Sequence, residues 1–198
     1  MKTKIDNFFN VSTETKQLYI KPFAFLHALF AVICILYPIV IGIAAVEEKI
    51  YTWPAKIILA FVLIFIISSL TIIWSSFQWW SSYKKLTSAT IAENGPIAGK
   101  TIAVFLRTLS KFLGVAIGIS GTFTLIVCSL VFSDAEFYEI LEGFNLDILT
   151  SINLHRQGLI GVKMQGVIMF PIIIYLFMFV LKLFSELFNF ISNDKSNN

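Results

Sequence analysis

Two charged residues near the end of the sequence stand at a spacing that permits an interaction. Lys182 and Glu186 lie four positions apart in an otherwise apolar stretch, so a helix would bring their side chains together on one face. Deep in a bilayer such a pair would mark a binding or proton-handling site, whereas at headgroup level it would be structural. The preceding charge-free stretch is already about long enough to cross a bilayer. We therefore expect an interfacial ion pair.

A second feature is a stripe of small residues. Gly114, Gly118 and Gly121 recur at helical spacing, and small residues at such spacing let two membrane helices approach closely. The pattern fits packing against another helix of the same chain and also packing against another subunit. Small-residue stripes are common within single chains, so we expect these glycines to be helix-packing residues inside the chain.

Other reactive residue types lack the spacing that chemistry requires. Residues 95–101 end in Gly-Lys-Thr, but Asn94 stands where a phosphate-binding loop needs its first glycine. His27 and His155 have no second ligand at metal-binding distance along the chain. The two cysteines fall inside apolar runs, as buried free thiols do. The sequence predicts a protein that is not an enzyme, with no metal, cofactor, nucleotide or nucleic acid.

The elements that carry these residues are long apolar runs. Of the 198 residues, 57% are hydrophobic and 14% are charged, against about 25% charged in soluble domains. A helix is the element that satisfies its own backbone in lipid. The sequence predicts an all-α membrane protein, a bundle of four transmembrane helices with one or two interfacial amphipathic helices. The four spans are expected at about residues 23–46, 57–80, 112–132 and 166–181.

The remaining segments are predicted to lie at the membrane surface. Residues 97–111 have the pattern of a basic amphipathic helix, and acidic residues alternate with apolar ones between 134 and 149. An aromatic cluster at the end of the second span is typical of an interfacial belt; its members are Trp74, Trp79, Trp80 and Tyr83. The domain plan is an arm at 1–21, a transmembrane domain at 22–191 and a polar tail at 192–198.

The orientation follows from lysine and arginine. These residues are concentrated in the arm and in residues 81–111, and are fewer in the other two connections, 47–56 and 133–163. Short loops rich in lysine and arginine stay on the cytoplasmic side. We expect a multi-pass protein of the inner (plasma) membrane with both termini in the cytoplasm.

Both ends of the chain have recognisable motifs. Phe8 and Phe9 precede a polar turn and Pro22. Near the other end, a basic residue, three apolar or small residues, a glutamate and an apolar turn occupy Lys182 to Asn193. These stretches resemble a family of small bacterial multi-pass membrane proteins of unknown function, in which the basic residue is typically arginine. The resemblance implies a bacterial inner membrane protein and transfers no site residue.

Two functional classes fit this sequence. The first is a non-catalytic accessory or structural subunit, whose partners would be the lipid bilayer and other membrane subunits. The second is a small channel or transporter that acts as an oligomer and needs polar groups along a pore. Apart from the charged pair, the residues available for such a pore are hydroxylated: Ser68, Ser69, Thr71, Ser120, Thr122 and Thr124.

Overall fold

The computed structural model describes residues 13–87, 97–143, 146 and 161–194. These residues are almost entirely helical, and no strand occurs among them. A 3₁₀ turn occupies Ile50–Thr52, and a π-helical segment occupies Leu113–Ile119. The α-helices are α1 (Thr13–Glu47), α2 (Ala55–Thr87), α3 (Ile97–Phe112), α4 (Ser120–Val131), α5 (Asp134–Gly143) and α6 (Val162–Asp194).

Four helical stretches are long and apolar enough to cross a membrane. They are Ile20–Glu47, Ala55–Thr87, Gly99–Val131 and Val162–Ile191. The prediction of an all-α membrane protein with four such helices is therefore confirmed. The pair Phe8 and Phe9, the turn at Asn94 and the side chain of His155 lie outside the described residues.

The distribution of side chains is that of a protein surrounded by lipid. Many buried residues are small or hydroxylated, including Ala31, Ala103 and Ser185, while large apolar residues such as Ile39 and Phe177 are more than half exposed. Lipid is as apolar as leucine, so membrane helices gain from close contact through small residues and leave large apolar ones on the outside. Cys34 and Cys128 are buried and free, as predicted.

The third long helix begins earlier than the sequence suggests. The expected surface helix at 97–111 and the expected span at 112–132 follow each other as α3, the π-helical segment and α4 without a break. The buried residues of α3 include Thr101, Thr108 and Ser110, whereas Phe105 is only partly buried. The hydroxyl of Thr108 donates to the carbonyl of Val104 at 2.8 Å, so burying it leaves no donor unsatisfied.

The described residues divide into two compact units. Unit 1 comprises those within Met1–Ile35, Ile73–Phe112 and Phe177–Asn198, and unit 2 comprises those within Leu36–Ile72 and Leu113–Leu176. Each of the four long stretches contributes one segment to each unit. The two units are described separately below because each has its own packing.

The core of unit 2 forms where α5 packs on α6. Phe137 and Leu141 of α5 are fully buried in a cluster with Leu125, Cys128 and Phe170. A β-carbon at Gly166 would stand 3.1 Å from the Phe137 ring, so the glycine permits this close approach. Lys163 pairs with Asp134 at 3.2 Å. Residues 134–143 of the acidic segment thus form a helix with a buried apolar face.

Helix α5 begins with a capping box. Ser133 donates from its backbone N–H and its hydroxyl to Glu136 Oε2 at 2.7 and 2.8 Å, and its Oγ accepts from the Glu136 N–H at 3.4 Å. The sequence Ser-x-x-Glu is the known signature of this motif. The bonds from the Ser133 N–H and then from its hydroxyl hold the pKa of Glu136 below its ordinary value of 4.5.

The capping box predicts that the stability of the fold depends on the protonation of Glu136 only at acidic pH. A carboxyl whose folded pKa is lowered stabilises the fold above its unfolded pKa, and that stabilisation is lost as the pH falls through the folded pKa. We expect the Glu136 carboxyl to titrate below pH 4.5, in a ¹³C NMR titration of the protein in nanodiscs. In Ser133→Ala the value should rise only part of the way, because the backbone donor remains. A full return to the ordinary value would show that the hydroxyl alone was responsible.

Candidate functional site

The centre of unit 1 is the indole of Trp79, which has no exposed surface. Its ring lies 5.1 Å from His27 and 4.8 Å from Phe30, both on α1. Its centroid lies 6.0 Å from Phe105 and 6.1 Å from Phe112, both on α3. One side chain of α2 therefore joins α1 to α3. The sequence pattern predicts Trp79 in an interfacial aromatic belt, and this prediction is wrong because Trp79 is buried. Trp74 and Trp80, two other members of that predicted belt, are each 45% exposed.

His27 is the buried imidazole of this cluster. It has no exposed surface, and Nδ1 lies 2.6 Å from the carbonyl oxygen of Phe23, one turn earlier in α1. Because a carbonyl only accepts, Nδ1 carries the proton and Nε2 is an acceptor. Neither Nε2 of His27 nor Nε1 of Trp79 has a hydrogen-bond partner in the described part of the chain. A buried acceptor and a buried donor thus lie on neighbouring rings, and such an unpaired buried atom calls for a specific explanation, for example a functional role or an ordered water.

A row of polar contacts joins α3 to α6 within unit 1, and we call it the α3–α6 seam. The Ser185 hydroxyl donates to the Ala103 carbonyl at 2.8 Å, and the Ser110 hydroxyl donates to the Met178 carbonyl at 3.1 Å. From the first bond to the second, the residue number rises by seven on α3 and falls by seven on α6. This places α3 and α6 antiparallel in a fixed register.

The seam also gives Glu186 a partner that the sequence pattern missed. Nη2 of Arg107 donates to Oε1 of Glu186 at 2.7 Å, and both side chains are about half exposed, at 52% and 53%. Lys182 is exposed on the same helix as Glu186. The expected partner was the lysine one turn away, but the carboxylate reaches across to α3 instead. An exposed pair of this kind contributes about 0–1 kcal/mol in water.

The glycine stripe lies in and after the π-helical segment. Gly114 is partly buried. A β-carbon at Gly118 would lie 3.2 Å from Cγ2 of Ile174 and one at Gly121 would lie 2.5 Å from the Phe170 ring. Both glycines therefore face α6 within unit 2. A π-helical turn has a longer repeat than an α-helical turn, so the spacings of four and three residues, which would keep the glycines on one face of an α-helix, do not do so here.

Three of the six hydroxyls considered for a pore bond to their own helices, whereas the buried hydroxyl of Thr122 has no hydrogen-bond partner among the described residues. Thr71 donates to the carbonyls of Ile67 and Ser68, at 3.1 and 2.9 Å. Ser120 donates to Ala116, and Thr124 donates to Ser120 at 2.8 Å. A hydroxyl that donates to a carbonyl of the preceding turn has only its lone pairs left for an ion or solute.

Metal and phosphate chemistry find little support in the described residues. No group of three or more His, Cys, Asp or Glu side chains that could hold a metal occurs among them. Gly99 and Thr101 belong to the segment at 95–101 that resembles a phosphate loop, and both are buried in α3. In a phosphate loop the Lys-Ser/Thr pair lies at the start of the helix, whereas Thr101 lies in the second turn of α3.

The class of protein that these observations define is a helical membrane protein with four helices long and apolar enough to span a bilayer. No protein-family model matches the chain, and neither a curated protein nor a solved structure matches it. The functional argument therefore depends on the geometry described above.

Proposed function

We propose that this chain is a non-catalytic accessory or structural subunit of a larger complex in a bacterial inner membrane. The observation that carries the proposal is the bonding of three of the six hydroxyls considered for a pore, since those of Thr71, Ser120 and Thr124 donate to carbonyls of their own helices. Their donors stabilise helices and are not directed toward a solute. The close fit of Gly121 on Phe170 also favours a rigid, packed interior.

The broad apolar surface supports the same proposal. Exposed large side chains occur on α1, α2 and α6, for example Val40, Phe77 and Tyr175. Such surfaces contact lipid, and membrane subunits also associate through them by van der Waals packing. The resemblance of the two chain ends to small bacterial membrane proteins supports the bacterial inner membrane as the location.

A small transporter or channel acting as an oligomer is the second candidate. The unpaired Nε2 of His27 and Nε1 of Trp79 favour it, because ionisable groups inside a membrane often belong to a solute or proton pathway. This candidate predicts that His27→Gln removes a flux in proteoliposomes without changing which polypeptides accompany the chain. The accessory-subunit proposal predicts no such flux.

Purification from the native membrane distinguishes the two candidates. The full chain, tagged at one terminus, is extracted in a gentle detergent, and the accompanying polypeptides are identified by mass spectrometry. We expect other membrane subunits at a fixed ratio to the tagged chain. A tagged, unrelated four-span protein expressed at the same level is the control for adventitious carry-over. A homo-oligomer without other polypeptides would overturn the accessory-subunit proposal.

The proposed orientation has both termini and residues 81–111 in the cytoplasm. It predicts that single cysteines at Ser88→Cys and Ser151→Cys, in a background with Cys34→Ala and Cys128→Ala, react with an impermeant thiol reagent from opposite sides. Spheroplasts should label only the Ser151→Cys variant, and inverted vesicles only the Ser88→Cys variant. Labelling of both variants from the same side would contradict the four-span topology.

A further inference from the structure

Four charged side chains occupy one exposed surface of α3 and α6. Arg107 pairs with Glu186 across the two helices. Lys111 follows Arg107 by one turn, and Lys182 precedes Glu186 by one turn. Because α3 and α6 are antiparallel, the step from Arg107 to Lys111 and the step from Glu186 to Lys182 both lead about 6 Å in the same direction along the helices. The register therefore places Lys111 and Lys182 side by side, next to the Arg107–Glu186 pair.

The two lysines also border the charge-free parts of their helices. Residues 112–133 contain no Asp, Glu, Lys or Arg and begin directly after Lys111, and residues 164–181 contain none and end directly before Lys182. Around Lys182, the apolar side chains of Phe179, Leu183 and Phe184 are about half exposed. A lysine at such a boundary buries its stem against apolar surface and extends its ammonium group toward the headgroups.

The charges of this surface do not balance. Glu186 is engaged by Arg107, and neither α2 nor α3 contains an acidic residue. The described part of α6 contains one further acid, Asp194, two turns beyond Glu186. Within α2, α3 and the described part of α6, no acidic residue other than Glu186 therefore lies within one turn of Lys111 or Lys182.

We propose that Lys111, Lys182 and Arg107 bind the phosphate of an anionic phospholipid headgroup. The two ammonium groups neutralise the phosphate, and Arg107 supplies a further N–H donor beside its bond to Glu186. The half-exposed apolar residues near Lys182 contact the acyl chains of the same lipid. Basic clusters between membrane helices recognise anionic headgroups by this combination of charge and apolar contact.

Native mass spectrometry of the full chain in a mild detergent tests the proposal. The protein is titrated with phosphatidylglycerol and, separately, with phosphatidylcholine of the same acyl chains. We expect a clear preference for phosphatidylglycerol, weakened about fivefold by either Lys111→Gln or Lys182→Gln and about 30-fold by the double variant. Glu186→Gln should act in the opposite direction and tighten binding, because it frees Arg107 and removes the acid.

The controls separate this site from general electrostatic attraction and from loss of fold. Lys49→Gln/Lys56→Gln carries the same charge change on exposed lysines of unit 2 and should leave the preference unchanged. Lys111→Arg/Lys182→Arg keeps the charge and should keep the binding. Thermal unfolding of every variant checks that the fold is retained.

Several results would overturn the proposal. One is equal binding of both lipids, and another is an equal loss of binding in the control variant. Displacement of phosphatidylglycerol by millimolar inorganic phosphate would show a site for the free anion instead of a lipid. If a polypeptide stayed bound to the unchanged protein but not to the Lys111→Gln/Lys182→Gln variant, the surface would belong to a protein partner.

Discussion

Trp79→Ala is expected to destabilise the protein by about 3 kcal/mol, at the lower end of the range for a buried tryptophan in a soluble core. The indole has no exposed surface, and its loss removes the ring that joins α1 to α3 through His27 and Phe105. Lipid is as apolar as the missing ring, so most of the loss arises from the cavity and not from transfer to water. Thermal unfolding in lipid nanodiscs measures the change.

Two further tryptophan variants make this prediction specific. Trp74→Ala removes the same ring from the same helix where it is 45% exposed, and it should change stability by no more than about 0.5 kcal/mol. Trp79→Phe keeps an aromatic ring and removes the unpaired N–H, so its loss should be smaller than that of Trp79→Ala. If Trp74→Ala were as damaging as Trp79→Ala, burial at the centre of unit 1 would not explain the effect.

The length of the apolar runs was sufficient to predict four spanning helices. In lipid an unbroken run must satisfy its backbone internally, so run length determines the element even where β-branched and aromatic residues are abundant. The four stretches long and apolar enough to cross a membrane include the predicted spans at 23–46, 57–80 and 166–181 and nearly all of 112–132. Their boundaries differ because a helix does not have to end where its apolar run ends.

The burial of α3 could not be predicted by the same argument. Its pattern resembles a surface helix when polarity is judged as in water, with the hydroxylated face outward. In the protein that face is buried at Thr101 and Thr108. Both side chains are small enough for close packing, and the hydroxyl of Thr108 bonds to its own helix. Consecutive tryptophans posed a similar ambiguity, since Trp79 and Trp80 point about 100° apart on a helix and only Trp79 is buried.

Local spacing also concealed the partner of Glu186. Spacing along one helix identifies Lys182 as a neighbour, whereas Arg107 is 79 residues away in sequence and reaches Glu186 through the pairing of α3 with α6. The bonds of the α3–α6 seam set that pairing, and they end on backbone carbonyls. A backbone acceptor has no side-chain signature, so the sequence contains no pattern from which this register could be read.

Gly121→Ala should destabilise unit 2 by about 1–3 kcal/mol, the usual range for overpacking a core. The added β-carbon would lie 2.5 Å from Cε1 and Cζ of Phe170. Phe170 is itself buried against Leu125 and Cys128, so its ring has little room to move away. Replacing glycine by alanine normally favours a helix by about 1 kcal/mol, and a net loss would therefore require a steric penalty larger than that gain. Thermal unfolding in nanodiscs measures the sum of the two effects.

Gly42→Ala and a compensating double variant complete the test. The β-carbon of Gly42→Ala would lie 3.8 Å from Cζ of Phe65, an ordinary contact distance, so this variant should be neutral or slightly stabilising. Gly121→Ala/Phe170→Leu should regain part of the stability that Gly121→Ala loses, because the smaller side chain leaves space for the methyl group. If Gly121→Ala were as stable as Gly42→Ala, the glycine would face lipid and not α6, and the rigid interior that supports the accessory-subunit proposal would lose its main contact.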